Sequence, residues 1–437
     1  MKRAIRRVAP ILIAAMMLFN FCGCDIFTVN TDEFLSPPKL TGDMQPILEA
    51  LNKSVLAEYS LVYPNSGERR SAVIMEDINL DGKFEAIAFY KTNEEELSTM
   101  HINLIMQSEK NWVSVDDISI VAGGVETVDF CDLDGNGTSE ILVGWEIYTG
   151  SEKQLAVYSL GANSLSQAMI QRYTHFMCCD IDQNGNEEIF LQDLNPAEST
   201  NRAILFSIDK SGVSQIAGCM LDGTVKSASY PVLSKLANGQ PAIYIDEDKG
   251  VGAVTEVLYC IKGQLVNGLL DTTQSPYQNN ATIRPNTILC RDIDNDGTVE
   301  IPIEVSIPNA DPTSNEKITY VKWCKYTGEV LQEQETTLVN VPDGYIISVP
   351  NIWKEKIAVS KDIQKRTRSI YLYNTETQTI GEKIVTFKAT EIKKYKPLES
   401  EIELIRTAES VITATVTEYE GELKLNVEQL KKLLRIF

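Results

Sequence analysis

Apolar residues in this chain fall in short runs with turn residues between them. Residues 125–173 show the pattern: VETVDFCDL, EILVGWEIY, QLAVYSL and SQAMIQRY follow one another at close spacing. Runs of this length, rich in β-branched and aromatic residues and bounded by Gly, Asp and Asn, predict β-strands joined by tight turns. Two segments instead keep a helical period. MQPILEALNKSVLAEY, from Met44, lines up Ile47, Leu48, Leu51 and Val55 on one face. Near the end, Asn426 and Gln429 form a capping-box pattern ahead of Val427, Leu430, Leu433, Leu434 and Phe437. Both helices are expected to pad the strand domain.

The strand pattern repeats. DINLDGKFEAIAFY from Asp77, DLDGNGTSEILVGW from Asp132, DIDQNGNEEIFLQD from Asp180 and DIDNDGTVEIPIEV from Asp292 align without gaps. They share D-x-[DN]-x-[DN]-G-x-x-E followed by a strand. The starts lie 55, 48 and 112 residues apart, so a copy is expected near Ser234, where SKLANGQPAI keeps Asn238-Gly239 without the acids. Further steps reach SVPNIWKEKIAVS at Ser348 and IELIRTAESVITATVTEY near residue 404. Four strands per period of about 50 residues is the signature of a propeller blade. The expectation is an all-β fold: a β-propeller of about seven, or six, four-stranded blades between about residues 70 and 420, flanked by short N- and C-terminal helices.

The acidic loops carry the candidate chemistry. Oxygen side chains stand at positions 1, 3, 5 and 9, Gly permits a positive φ at position 6, and position 7 can offer its carbonyl. Such an all-oxygen set suits Ca²⁺. The first candidate set is Asp77, Asn79, Asp81, Lys83 (carbonyl) and Glu85; the second is Asp132, Asp134, Asn136, Thr138 (carbonyl) and Glu140. The third is Asp180, Asp182, Asn184, Asn186 (carbonyl) and Glu188, and the fourth is Asp292, Asp294, Asp296, Thr298 (carbonyl) and Glu300. Up to four structural Ca²⁺ ions are expected. An EF-hand would need Glu at position 12 and flanking helices. Position 12 is instead Ala88, Val143, Leu191 and Ile303, and the flanks are strands.

On these residues the loops resemble the FG-GAP or VCBS repeats of integrin-type β-propellers. In such repeats Ca²⁺ sits in a hairpin between two strands of a blade, and the last ligand is often Asp where this chain has Glu. SPPKLTGDMQPILEALNKS and LVYPNSGERRSAVIMEDINLDGKFEAIAFY also resemble a group of VCBS-repeat lipoproteins of gut Clostridia. That resemblance spans nearly the whole chain. It implies a propeller fold and a surface location, and no established activity.

The first residues predict an address. Lys2, Arg3, Arg6 and Arg7 precede an apolar stretch from Val8 to Phe21, then Gly23-Cys24. This looks like a bacterial lipobox, with Phe21 where Leu is usual. Residues 1–23 are expected to be a signal peptide, Cys24 a lipidated residue heading a tether through residue 43, and 44–437 a single domain. Lipidation would hold the chain on the outer face of the cytoplasmic membrane, in a Gram-positive cell.

Charge sharpens the picture. Lys and Arg number 40 against 61 Asp and Glu, a formal net charge of -21. An acidic chain is a poor nucleic-acid partner. Two histidines, His101 and His175, leave little for His-based catalysis. Cleavage before Cys24 would remove four basic and no acidic residues, and the candidate ligands account for 13 of the acids. Seven cysteines would remain, scattered without paired spacings, which is a poor disulfide framework.

G-x-S-x-G, H-E-x-x-H and P-loop patterns are missing, so no catalytic residue is assigned and enzymatic activity is not expected. The expected role is a membrane-anchored, calcium-stabilised module that binds an unknown extracellular protein or glycan. A carbohydrate-active lyase or hydrolase, and a structural subunit of an envelope assembly, are the alternatives. Trp112, Trp145, Tyr148, Trp323 and Trp353 are candidate contacts, but the first expectation for each is packing within a blade.

Overall fold

A computed structural model of the chain describes residues 44–92, 99–109, 111–148, 152–209, 212–285 and 288–437. The expected signal peptide, Cys24 and tether lie outside the described residues. Contacts divide the chain into two compact units. One holds Met1–Val128, Trp145–Thr149 and Gly161–Leu165; the other holds Asp129–Gly144, Gly150–Leu160 and Ser166–Phe437.

The fold is all-β, built from antiparallel sheets that follow one another along the chain. Helix α1 (Gln45–Ser54) comes first. Sheet 1 holds β1 (Tyr59–Leu61), β2 (Val73–Glu76), β3 (Glu85–Thr92), β4 (Thr99–Ser108) and β5 (Asn111–Val121). Sheet 2 holds β6 (Gly124–Cys131), β7 (Glu140–Tyr148), β8 (Glu152–Leu160) and β9 (Leu165–Tyr173). Sheet 3 holds β10 (His175–Cys179), β11 (Glu188–Asp193), β12 (Arg202–Asp209) and β13 (Gly212–Met220). Sheet 4 holds β14 (Ser227–Ala228), β15 (Val232–Lys235), β16 (Pro241–Asp248), β17 (Ala253–Ile261) and β18 (Gln264–Asn267). Sheet 5 holds β19 (Ile301–Ile307), β20 (Ile318–Tyr326), β21 (Leu331–Asn340), β22 (Tyr345–Ser348) and, after helix α2 (Val427–Leu433), the terminal β28 (Leu434–Ile436). Sheet 6 holds β23 (Ile357–Asp362), β24 (Thr367–Asn374), β25 (Thr379–Glu391), β26 (Ile402–Arg406) and β27 (Ser410–Val416).

Sheets 1 and 4 have five strands but four positions, because one edge strand is broken in two. β1 and β2 both pair with β3, at Tyr90–Thr92 and at Glu85–Ala88. β14 and β15 share β16 in the same way. In sheets 1 to 3 the second position is the most buried: β11 is buried at all six residues, whereas β5 and β13 alternate with exposed positions. This explains why runs such as AIAFY of β3 read as continuous apolar stretches rather than as alternation.

Among the described residues there are six sheets, against the expectation of about seven or six blades. The strand–turn–strand outline at Ser348 is present, but its strands, β22 and β23, lie in different sheets. β22 ends there against β21, and the segment that follows leads into the next sheet. Trp353 buries itself in that segment and donates from Nε1 to the Leu423 carbonyl at 2.8 Å. The hairpin near residue 404 does form, as β26–β27, but on the edge of β25 within sheet 6.

Within the second unit four apolar clusters each join a sheet to the next one in the chain. Leu142, Leu155 and Val157 meet Phe176, Ile189 and Leu191. Phe190 and Leu205 meet Ile243 and Leu258. Tyr244 and Val257 meet Ile301 and Tyr326, and Leu338 and Ile347 meet Ile370 and Phe387. In the first unit Ile47, Ala50 and Leu51 of α1 pack on Val73, Ala88 and Ile105.

The C-terminal helix has its capping box: Asn426 Oδ1 accepts from the Gln429 N–H and Gln429 Oε1 from the Asn426 N–H, both at 2.9 Å. It stops at Leu433. Leu430 and Leu434 are buried, Val427 is exposed, and Phe437 packs on Trp323. The expected five-residue stripe is therefore split between a short helix and β28. Trp145, Trp323 and Trp353 are fully buried and cannot serve as surface contacts.

Candidate metal centres

The acidic loops occupy matching places: three turn the chain from the first position of a sheet into its second, and the fourth opens sheet 5. They connect β2 to β3, β6 to β7 and β10 to β11; the fourth leads from the Arg291–Glu300 bridge into β19.

The loops share one hydrogen-bond design. The position-1 carboxylate accepts from two backbone N–H groups, at positions 5 and 6. For Asp180 these are Asn184 at 3.0 Å and Gly185 at 3.0 Å. For Asp132 they are Asn136 at 3.1 Å and Gly137 at 2.9 Å. Asp77 and Asp292 repeat the pair with Asp81 and Gly82, and with Asp296 and Gly297. Position 3 also accepts from the position-5 N–H, through Asn79, Asp134, Asp182 and Asp294. The position-5 side chain accepts from the position-7 N–H: Lys83, Thr138, Asn186 and Thr298 donate at 2.7–2.9 Å. Gly at position 6 has φ between +84° and +93° in every copy, a conformation that a Cβ would strain.

The position-9 glutamates close the loops from the sheet side. Glu85, Glu140, Glu188 and Glu300 are buried, and each accepts the position-2 N–H through Oε2, at 3.0, 3.1, 3.1 and 2.9 Å. Ile78, Leu133 and Ile181 at position 2 are buried and pin the loop to the core. Burial raises all four glutamates above the ordinary carboxyl range, and the charges of neighbouring loop acids push the same way. Glu188 is pushed up to about 7, by burial first and then by the Asp182 charge.

Three of the loops bring carboxylates together closely enough to hold a cation. Ligand oxygens of Asp132, Asp134 and Glu140 lie within 4.8 Å of one another, as do those of Asp180, Asp182 and Glu188, and of Asp292, Asp294 and Glu300. The first loop has the same hydrogen-bond frame and also three carboxylates, Asp77, Asp81 and Glu85, but Asn79 stands at position 3 and the second acid at position 5. The donors are carboxylates and amides, with no thiol or imidazole, and fit a hard divalent cation. The seven cysteines outside the N-terminal segment are free.

Neighbouring turns touch. A Cβ at Gly135 would come within 2.8 Å of Asn186 Oδ1, and Cys131 Sγ donates to Glu187 Oε2 at 2.8 Å. Ser234 Oγ, in the acid-free copy, accepts from the Val299 N–H of the fourth loop at 2.9 Å.

Two features were missed by reading the sequence. Lys325, on β20, reaches into the fourth loop: its Nζ is 3.2 Å from Glu300 Oε1, 3.8 Å from Asp294 Oδ2, and in contact with Asp296 Oδ2. Only the cross-strand register discloses it, since the Ile301–Cys324 pair sets Lys325 opposite Glu300. The second feature is a buried polar layer under sheet 4. Lys249 Nζ binds Asp222 Oδ2 at 2.8 Å, and Glu256 Oε1 accepts from Asp222 N and Asn267 Nδ2, both at 2.8 Å. Glu247 Oε1 accepts from Gln192 Nε2 at 2.8 Å. Glu247 and Glu256 lie close enough for their charges to repel, and burial raises both above the usual carboxyl range. Arg284 is buried against Asp246 nearby. These residues are far apart in sequence and follow no motif.

No protein-family model and no curated protein matches the chain. Among solved structures, it is similar to the Bacillus licheniformis rhamnogalacturonan lyase PL11, with 10% identity, 75% of this chain and 76% of that one covered, and a TM-score of 0.31. It is similar to rhamnogalacturonan lyase YesW at 9% identity, with 83% and 92% covered and a TM-score of 0.30. It is also similar to an exo-β-1,3-galactanase from Phanerochaete chrysosporium at 9% identity, with 82% and 88% covered and a TM-score of 0.28. Likeness at this level assigns no function.

Proposed function

We propose that the chain is a lipid-anchored, extracytoplasmic β-propeller that binds a protein or glycan partner and is stiffened by Ca²⁺ in its acidic hairpins. One observation supports the calcium reading above all: the same frame of carboxylates and backbone N–H groups recurs at the same place in sheets 1, 2 and 3. The propeller reading draws on the chain-order packing of sheets through shared apolar clusters. The lipid anchor rests on Gly23-Cys24 and the basic, then apolar, segment before it.

In this reading Ca²⁺ would be held by Asp132, Asp134 and Glu140, by Asp180, Asp182 and Glu188, and by the matching first-loop residues Asp77, Asn79, Asp81 and Glu85. Bound Ca²⁺ supplies positive charge where buried glutamates and loop acids repel one another, and the protein supplies the rigid loop. The role is structural, because the same ligands that hold the ion also hold the turn.

Binding is tested with the soluble chain from residue 25 on a glycan array and by crosslinked capture from cell envelopes. A glycan or a stoichiometric envelope protein bound only in Ca²⁺ buffer is the expected result. Polysaccharide cleavage by the same preparation would overturn the binding-module reading in favour of a lyase or hydrolase.

A further inference from the structure

The fourth hairpin differs from the others in what faces its acids. The residue across the strand pair from the position-9 glutamate is set by register. In sheet 1 the Ala86–Ile105 pair puts Met106 opposite Glu85. In sheet 3 the Ile189–Phe206 pair puts Ser207 opposite Glu188. In sheet 2 the β8 residue that meets it is Ser159, whose Oγ lies 3.4 Å from Glu140 Oε1. In sheet 5 the place is held by Lys325.

Lys325 is not a surface lysine that happens to lie near an acid. Its side chain is 10% exposed, and its ammonium meets the side chains of positions 3, 5 and 9, Asp294, Asp296 and Glu300. Those are side chains that would turn toward a metal ion in this loop. A Ca²⁺ ion and an ammonium group cannot share that space without strong repulsion. The ammonium is covalently tethered by a strand that must be in place for the sheet to fold, so its local concentration is high and constant.

We propose that Lys325 is a built-in cation that takes the place of Ca²⁺ in the fourth hairpin, so that the chain holds metal in its first three acidic loops and closes the fourth by itself. This rests on the calcium reading of the other loops. It replaces the expectation of up to four ions with three, and it makes sheet 5 independent of calcium supply.

The test is equilibrium dialysis of the soluble chain against radiolabelled Ca²⁺, with two exchanges that move the lysine between loops. The unsubstituted chain is expected to bind three ions. Lys325→Ser, which installs the residue that meets Glu140, should bind four. Ser159→Lys should bind two. Lys325→Met, which installs the residue type found opposite Glu85, is the second fourth-loop variant, and it should likewise gain one ion. In chelator both Lys325 variants should melt below the unsubstituted chain, and Ca²⁺ should close that gap. Four ions in the unsubstituted chain, or three in both Lys325 variants, would overturn the proposal while leaving the calcium reading intact. No bound ion in any of the chains would overturn both.

Discussion

The hairpins at Asp180 and at Ser234 turn the chain at the same place in successive sheets, by different means. Both have Gly at the sixth position, Gly185 and Gly239, at φ +93° and +89°. Both place an Asn at the fifth, accepting from the N–H two residues on, at 2.8 and 2.9 Å. At Asp180 the Gly N–H is satisfied by a carboxylate. At Ser234 it is satisfied by the Leu236 carbonyl at 2.9 Å, and the ladder runs on to the Lys235–Pro241 pair. Leu236 and Ala242 fill the core where Asp182 and Glu188 stand in the other copy. A hairpin in this fold therefore forms without any acid. The clustered carboxylates are not needed to turn the chain, and a cation would relieve their mutual repulsion.

The largest contrast should come from removing the first residue of each turn. Asp180→Ala strips two backbone N–H groups of their acceptor and removes a candidate ligand, and should cost about 2–4 kcal/mol in Ca²⁺ buffer. Ser234→Ala loses the bond from the Val299 N–H and the longer one that Ser234 Oγ donates to the Gly297 carbonyl, and should cost about 1 kcal/mol. Urea unfolding reads both. Equal losses would erase the distinction between the two turns.

The glycines should behave alike. Neither Gly185 nor Gly239 has an atom within 4 Å of an added Cβ, so an alanine meets only the backbone strain of positive φ. Each substitution should cost about 1–2 kcal/mol, with similar values at the two sites. A much larger loss at Gly185 would mean that the acidic turn depends on its backbone more than its acids.

The smallest expected effect concerns acids that a proton serves instead of a cation. Burial raises Glu247 and Glu256 in the folded chain, so folded protein binds more protons than unfolded protein above the ordinary carboxyl range. Stability from this pair is complete below that range and falls as pH rises toward neutrality. Glu256→Gln keeps an oxygen for Asp222 N and Asn267 Nδ2 and gives Glu247 a donor. The variant should lose less stability than the unsubstituted chain between pH 5 and pH 8 in thermal melts with Ca²⁺, by roughly 1 kcal/mol. An identical pH slope in both chains would remove the proton-sharing role.

The acidic loops were legible in the sequence because their chemistry is local. Side chains at positions 1, 3 and 5, a glycine at 6 and a glutamate at 9 must all be close along the chain to meet in space. The capping box at Asn426 was legible for the same reason. Lys325 was not, because it joins its loop through strand pairing, and neither were Asp222, Lys249, Glu247 and Glu256, which meet only once the sheets have formed. The number of sheets was blurred by the same limit. A strand–turn–strand pattern reads alike whether it stays within one sheet, as at β26–β27, or passes between two, as after Ser348.

The most direct test of the account is the thermal melt of the soluble chain in Ca²⁺ and in chelator. Each site filled at a hundredfold excess over its Kd contributes about 2.7 kcal/mol of stability, so several sites should raise Tm by well over about 4 °C. The same Tm in both buffers, together with no calcium in the purified protein by elemental analysis, would contradict the claim that the acidic hairpins are calcium sites.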